Sequence, residues 1–190
     1  MSNSTMDAIF GRRSVRAYTA QKVDDETVDL LARAALAAPS GSNSQPVDVV
    51  VVKDGALIQE AEKAVIAYFV KKNDTGVVDR IRSRNNKIFY DAPVSFFLAV
   101  KNKSAVDVGI AAENIAIAAA SLGLGNIILG LPNVIFNDPE TAAYWKGKLG
   151  FREGYEFGLA VAVGYAADTG KPHDIDLKKI SYIEPVSKLG

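Results

Sequence analysis

Arg12, Arg13, Ser14 and Arg16 put three guanidinium groups and a hydroxyl into five consecutive positions of a chain whose 22 basic and 22 acidic residues otherwise cancel. A guanidinium fork donates in parallel to two oxygens of a phosphate or carboxylate, and a serine O–H between two arginines adds a third donor. The stretch has the composition of an anion clamp. In extended chain Arg12, Ser14 and Arg16 share one face and Arg13 faces away. Surface ion pairs would use the same residues, and spacing alone leaves both readings open.

A second stretch, "PSGSNSQP" from Pro39 to Pro46, offers backbone N–H groups, two side-chain amides and three hydroxyls with little bulk. That chemistry suits hydrogen bonding to a flat ring rich in heteroatoms. A helix stop and strand entry would also account for Pro39, Gly41 and Pro46. Arg80, Arg82 and Arg84, set among Val78, Ile81 and Ile88, read as the solvated face of a helix. "GLGNIILG" carries Gly123 and Gly125 but has Ile128 where a dinucleotide fingerprint needs its third glycine, and it enters a strand instead of leaving one. A Rossmann site is rejected.

Composition removes other chemistries. The chain has no cysteine and one histidine, His173. Disulfides, thiolate catalysis and multi-histidine metal sites are therefore excluded, and no G-x-S-x-G elbow supports a serine triad. Zero formal net charge and a sequence pI near 6.6 argue against a surface built for nucleic acid or anionic membrane. The N-terminus lacks a signal-peptide pattern and no apolar run approaches a membrane span, so a cytoplasmic protein is expected. The length of 190 residues and a hydrophobic fraction of 48% suit one domain, 1–190, with an extended tail from about 166 to 190.

The elements that must carry these residues follow from periodicity. Ser4 or Thr5 caps a short helix ending near Gly11. Asp24 or Asp25 starts a second, with Val28, Leu31 and Ala35 at helical spacing until Pro39. Val47 to Lys53 reads as a strand buried on both faces, and Leu57 to Phe69 as a helix. Further strands are expected at Pro93 to Lys101, in "NIILGL" and in "EFGLAVAVGY", with a helix begun by Asp138 and Pro139 between the last two. Asp107 to Leu122 is alanine-rich and apolar nearly all round, so it must be buried in the domain or against a second subunit. Ile180 to Ile183 has strand character and the stickiness of a segment that pairs outside its own domain.

Taken in order, "RRSVRAY", "APSGSNSQP", "FYDAPV", "DVGIAAENIAIAAASLGLGNIILG" and "FGLAVAVGY" resemble the FMN-dependent nitroreductase family over nearly the whole chain. The resemblance implies an α+β fold, an α/β sandwich with a mixed central sheet flanked by helices and a C-terminal segment exchanged between subunits. It implies a homodimer with FMN at the interface. Arg12, Arg13, Ser14 and Arg16 would contact the phosphate, ribityl chain and pyrimidine edge. Pro39, Ser40, Gly41, Asn43 and Gln45 would reach the flavin from the other subunit, and Asn85 would lie near the ring. Gly130 or a neighbour, Leu129 or Leu131, would offer a backbone N–H to flavin N5. Lys171 and His173 stand where the family has a basic residue and an arginine on the phosphate.

The function so implied is hydride transfer from NADH or NADPH through flavin N5 to a nitroaromatic, quinone or similar flat acceptor, with no catalytic side chain and no metal. A flavin-storage or flavin-fragmenting protein of the same fold is the alternative. A polyanion binder using the arginines is disfavoured by the zero net charge.

Overall fold

The computed structural model of the chain describes residues 4–102, 104–168, 170–172 and 174–183. The chain order is α1 (Ser4–Gly11), α2 (Asp25–Leu36), β1 (Val47–Val52), α3 (Gly55–Lys71), α4 (Thr75–Arg82), β2 (Val94–Lys101), α5 (Ala105–Ser121), β3 (Gly125–Leu129), α6 (Asn133–Asn137), α7 (Ala142–Lys148) and β4 (Tyr155–Gly164). The strands form one sheet in the order β1-β2-β4-β3, and every neighbouring pair is antiparallel. The fold is α+β, as expected. Among the described residues, the parallel component is a single bridge between Ser14 and Asn126 outside the four strands.

Alternation along the strands divides the core between two faces. Val94, Phe96, Leu98 and Val100 of β2 meet Val161 and Val163 of β4, Leu31 of α2 and Ile115 of α5. Phe97 of β2 turns to the opposite face, where it joins Phe157, Phe136, Val65, Ile81 and Phe89. Phe136 stacks on Phe157 with centroids 4.6 Å apart and planes 5° apart. Each such ring, fully withdrawn from water, contributes about 1.5–3 kcal/mol. One face of the alanine-rich α5, with Val108, Ala111, Ala112, Ile115, Ala116 and Ala119, is buried against α2, α1 and the sheet, while its other residues are half-buried or exposed.

Glycine is required where α5 crosses β4. The β2–β4 register slips at Leu98/Ala99, leaving Gly158 opposite no partner. A Cβ there would lie 2.5 Å from Val108 Cγ2 and 3.1 Å from the Leu98 carbonyl oxygen.

Two expectations are corrected. The strand at Val47 is an edge strand and not buried on both faces, with Val51 exposed and most of the others half-buried. Asp138 and Pro139 form a turn, because Asp138 accepts from the Glu140 N–H; helix α7 starts after Thr141, and α6 precedes the turn. Ile180 to Ile183 are exposed and make no strand pairing among the described residues of their own chain, following a 3-10 turn at Leu177–Lys179.

Candidate functional site

The arginine segment is fixed by the sheet's far edge. The Val15 N–H donates to the Asn126 carbonyl at 2.9 Å, extending the ladder past the start of β3. The Thr19 N–H donates to the Tyr165 carbonyl at 2.9 Å and the Ala167 N–H to the Ala17 carbonyl at 2.8 Å, pairing Tyr18 with Ala166 after β4. These bonds distribute the side chains. Arg13 donates through Nη1 to the Asp168 carboxylate and through Nη2 to the Asp168 carbonyl, both at 2.5 Å. That guanidinium, with the Arg16 backbone N–H, holds the Asp168 carboxyl below its usual range. Arg12 makes a longer ion pair with Glu113, at 3.7 Å. Arg12 and Arg13 line one groove, of about 470 Å³, between α1, the end of α5 and the start of β3.

Arg16 points elsewhere, into a cleft at the C-terminal end of β3. Two adjoining hollows of about 250 and 310 Å³ share Arg16, Arg84, Lys87 and Tyr90. One continues over Ile127, Ile128, Leu129, Gly130 and Leu131, the other to Asn85 and Asp91. The Leu129 side chain is buried in the core, so it offers the cleft backbone. Gly130 has no strained φ, and a Cβ there would meet only Leu159 Cδ2 at 3.9 Å; its effect is to leave the backbone bare to a close ligand. The Gly130 carbonyl accepts from the Asn133 N–H at 3.0 Å, which fixes the chain as it leaves the sheet.

The cleft's opposite wall is the turn after α4. Asn85, Asn86, Tyr90 and Asp91 all have left-handed backbone, with φ between 54° and 59°. A bulky residue such as Tyr90 adopts that conformation only when its surroundings enforce it. Buried Glu62 of α3 does part of this, accepting at one carboxylate oxygen from the N–H groups of Ile88 (2.7 Å) and Phe89 (2.8 Å). Lys87 donates to Asp91 at 2.6 Å, and this bond first, then the nearby carboxylates of Asp91 and Glu62, raises the Lys87 pKa. Arg84 Nη1 donates to the Tyr90 hydroxyl at 2.9 Å. Burial foremost, with Asp168 and Tyr90 adding to it, pushes the Tyr18 phenol far above its usual value; its O–H donates to the Ala162 carbonyl at 3.2 Å.

The loop from Pro39 to Pro46 sits elsewhere. Pro39, Ser40 and Gln45 line a hollow of about 350 Å³ with Asp107 and Ala111 of α5. The Gly41 N–H donates to Asp107 at 3.2 Å and the Gln45 N–H to Ser40 Oγ at 2.9 Å, while Ser42, Asn43 and Gln45 are left-handed. The loop enters β1, three strands from β3, a separation of about 14 Å at normal strand spacing.

The chain thus gathers Arg16, Asn85, Leu129, Gly130 and Leu131 in one cleft, puts Arg12 and Arg13 in a second groove, and holds Pro39, Ser40 and Gln45 at a third place. Ser14 is the backbone bridge to Asn126. Lys171 is exposed beside Gly170, whose Cα faces the Arg13 guanidinium, and His173 lies outside the described residues. The three arginines read as one solvated face are all exposed; Arg82 pairs with Asp79 at 3.6 Å, and Arg80 and Arg84 also line the cleft. Lys87, Tyr90 and Glu62 were not assigned from sequence. A lone glutamate among Ile58, Ala61 and Val65 on the apolar side of α3 was the signal for the last.

The cationic cleft at the end of β3 suits a ligand with an oxygen-rich edge. The nitroreductase family model matches residues 9–165, and the chain belongs to the nitroreductase family. A nitroreductase from Desulfitobacterium hafniense, solved with bound FMN, is 38% identical over 97% of this chain and 100% of its own, with a TM-score of 0.92. An FMN-bound nitroreductase from Bacteroides fragilis is 26% identical over 96% of this chain and 100% of its own, with a TM-score of 0.84. A relative from Archaeoglobus fulgidus named putative NADH dehydrogenase/NAD(P)H nitroreductase is 36% identical over 56 residues, a stretch that spans 32% of that protein's length. Among the described residues no helix is long and apolar enough to cross a membrane.

Proposed function

We propose that this chain is an FMN-dependent oxidoreductase that takes a hydride from NADH or NADPH and reduces a flat acceptor such as a nitroaromatic or quinone. The observation that carries the reading is the meeting of Arg16, Asn85, Lys87 and the bare Gly130 backbone in adjoining hollows at the end of β3. That donor set fits FMN: a backbone bare of side chain admits a flat ring, and a cationic rim suits its oxygen- and nitrogen-rich edge. Similarity to two FMN-bound nitroreductases supports the same assignment.

When bound, FMN supplies the redox chemistry, taking two electrons and a proton as hydride and passing two electrons and two protons on, so that a nitro group becomes nitroso and water. The chain's own residues orient and stabilise. Arg16 and Lys87 hold positive charge at the pyrimidine edge, where reduction leaves negative charge, and Asp91 keeps Lys87 protonated. Leu129, Gly130 and Leu131 offer backbone to N5. Arg12, Arg13 and Ser14, with Lys171 and His173, take the ribityl phosphate. No nucleophile is needed, in keeping with a chain that lacks cysteine.

The working unit is a cytoplasmic homodimer of one-domain subunits. Pro39, Ser40, Gly41, Asn43 and Gln45 complete the partner's site and exclude water there. The separation of this loop from its own chain's cleft supports that role. The exposed Ile175, Leu177, Ile180, Tyr182 and Ile183 support a tail that crosses to the second subunit. Steady-state kinetics with NADH and then NADPH against 4-nitrobenzamide test the mechanism: parallel double-reciprocal lines are expected, as donor and acceptor use one cleft in turn, and intersecting lines, or no turnover with either donor, would contradict it.

A further inference from the structure

The groove beside α1 holds two arginines, and each already faces a carboxylate: Arg13 meets Asp168, and Arg12 meets Glu113 at 3.7 Å. These pairs leave little surplus charge for a phosphate monoester, which carries about −1.5 to −2 at pH 7. Lys171, three residues after Asp168, is exposed and makes no ion pair among the described residues. The Arg13–Asp168 contact is also more than an ion pair. Nη1 donates to the carboxylate and Nη2 to the carbonyl of the same residue, both at 2.5 Å, and the N–H groups of Arg16 and Gly170 turn to that carboxylate. Gly170 closes against the guanidinium, where a Cβ would lie 3.0 Å from Nη1 and 3.5 Å from Cζ. The chain leaving β4 is therefore pegged at Arg13, with Ala166 in the groove wall and Lys171 just beyond the peg. The peg uses two of a guanidinium's five donors and leaves the rest for a ligand. Buried Asn126 lines the same groove, and its side-chain oxygen accepts from no described residue, an open acceptor for a ribityl hydroxyl.

Resting on the FMN reading, we infer that Asp168 is a positioning residue of the phosphate site: through Arg13 it fixes the chain after β4 so that Lys171 reaches the phosphate held by Arg12 and Arg13. The carboxylate's own charge opposes a phosphate. Removing it therefore weakens FMN binding if Asp168 positions Lys171, and strengthens it if Asp168 only neutralises Arg13.

The full-length apoprotein is titrated with FMN and with riboflavin, which lacks the phosphate, and binding is followed by flavin fluorescence. The wild type is expected to prefer FMN by at least about tenfold, as charge-assisted hydrogen bonds imply. Asp168→Ala and Lys171→Gln each lower that preference about fivefold and leave riboflavin affinity unchanged. The double variant loses no more than either single one, because the two residues act as a unit. Should Asp168→Ala loosen the chain after β4, Lys171→Gln at its exposed position still gives the readout. A preference that rises or stays unchanged in Asp168→Ala overturns the inference, as does one unchanged in Lys171→Gln. So do losses that add in the double variant, or a parallel loss of both flavins in Asp168→Ala, which would mark a purely structural role. Equal affinity of the wild type for the two flavins sinks this inference alone, and binding of neither flavin sinks the FMN reading with it.

Discussion

The buried Glu62 carboxylate of α3 accepts the Phe89 N–H at 2.8 Å, tying the turn that carries Arg84, Lys87 and Tyr90 to the helix beneath it. The same oxygen accepts from Ile88, so truncation leaves two buried donors without an acceptor. Glu62→Ala is expected to destabilise the fold by about 2–5 kcal/mol, read by urea denaturation, and Glu62→Gln, which keeps a carbonyl oxygen, by less. FMN affinity should follow the same order. Equal affinities in all three proteins would show that the turn holds its shape without this contact.

Asp168 gives a pH dependence with a definite sign. Arg13 lowers its pKa in the folded chain, so the pair's stabilisation is present above the ordinary carboxyl range. It fades as the pH falls below about 4, through the lowered folded value. Asp168→Asn should therefore melt below the wild type at pH 7 by up to about 1 kcal/mol, since the carboxylate is partly exposed, and the gap should close in acid. A gap that widens below pH 4 would reverse the assignment.

Gly130→Ala separates folding from binding. Its Cβ would meet only Leu159 at an ordinary distance and its φ is unstrained, so stability should change by less than about 0.5 kcal/mol. FMN affinity should fall about tenfold if the ring approaches that backbone. Fluorescence titration of FMN checks it, and unchanged affinity would remove Gly130 from the site.

Much of this architecture is legible in the chain because local signals and burial agree. Asp24 caps α2 through the Thr27 N–H at 2.8 Å, and the β-branched and aromatic run from Val94 to Lys101 makes the central strand. Arg16, Asn85 and Gly130, far apart in the chain, line adjoining hollows of one cleft. Val51 was misjudged because an edge strand and a buried one share the same β-branched composition. That exposed Arg80 and Arg84 also line a hollow depends on where α4 ends and on the left-handed turn beyond it, and periodicity carries neither. The Arg13–Asp168 pair joins residues 155 positions apart, a distance over which no spacing rule operates.

The reductase function is tested most directly by an anaerobic visible spectrum of the FMN-loaded protein before and after NADH, then NADPH. The expected result is a bound yellow chromophore that bleaches on addition of at least one of the two. A bound chromophore that stays oxidised with both donors would contradict the reductase and favour flavin storage, and failure to bind FMN would contradict the assignment of Arg16, Asn85, Lys87 and Gly130.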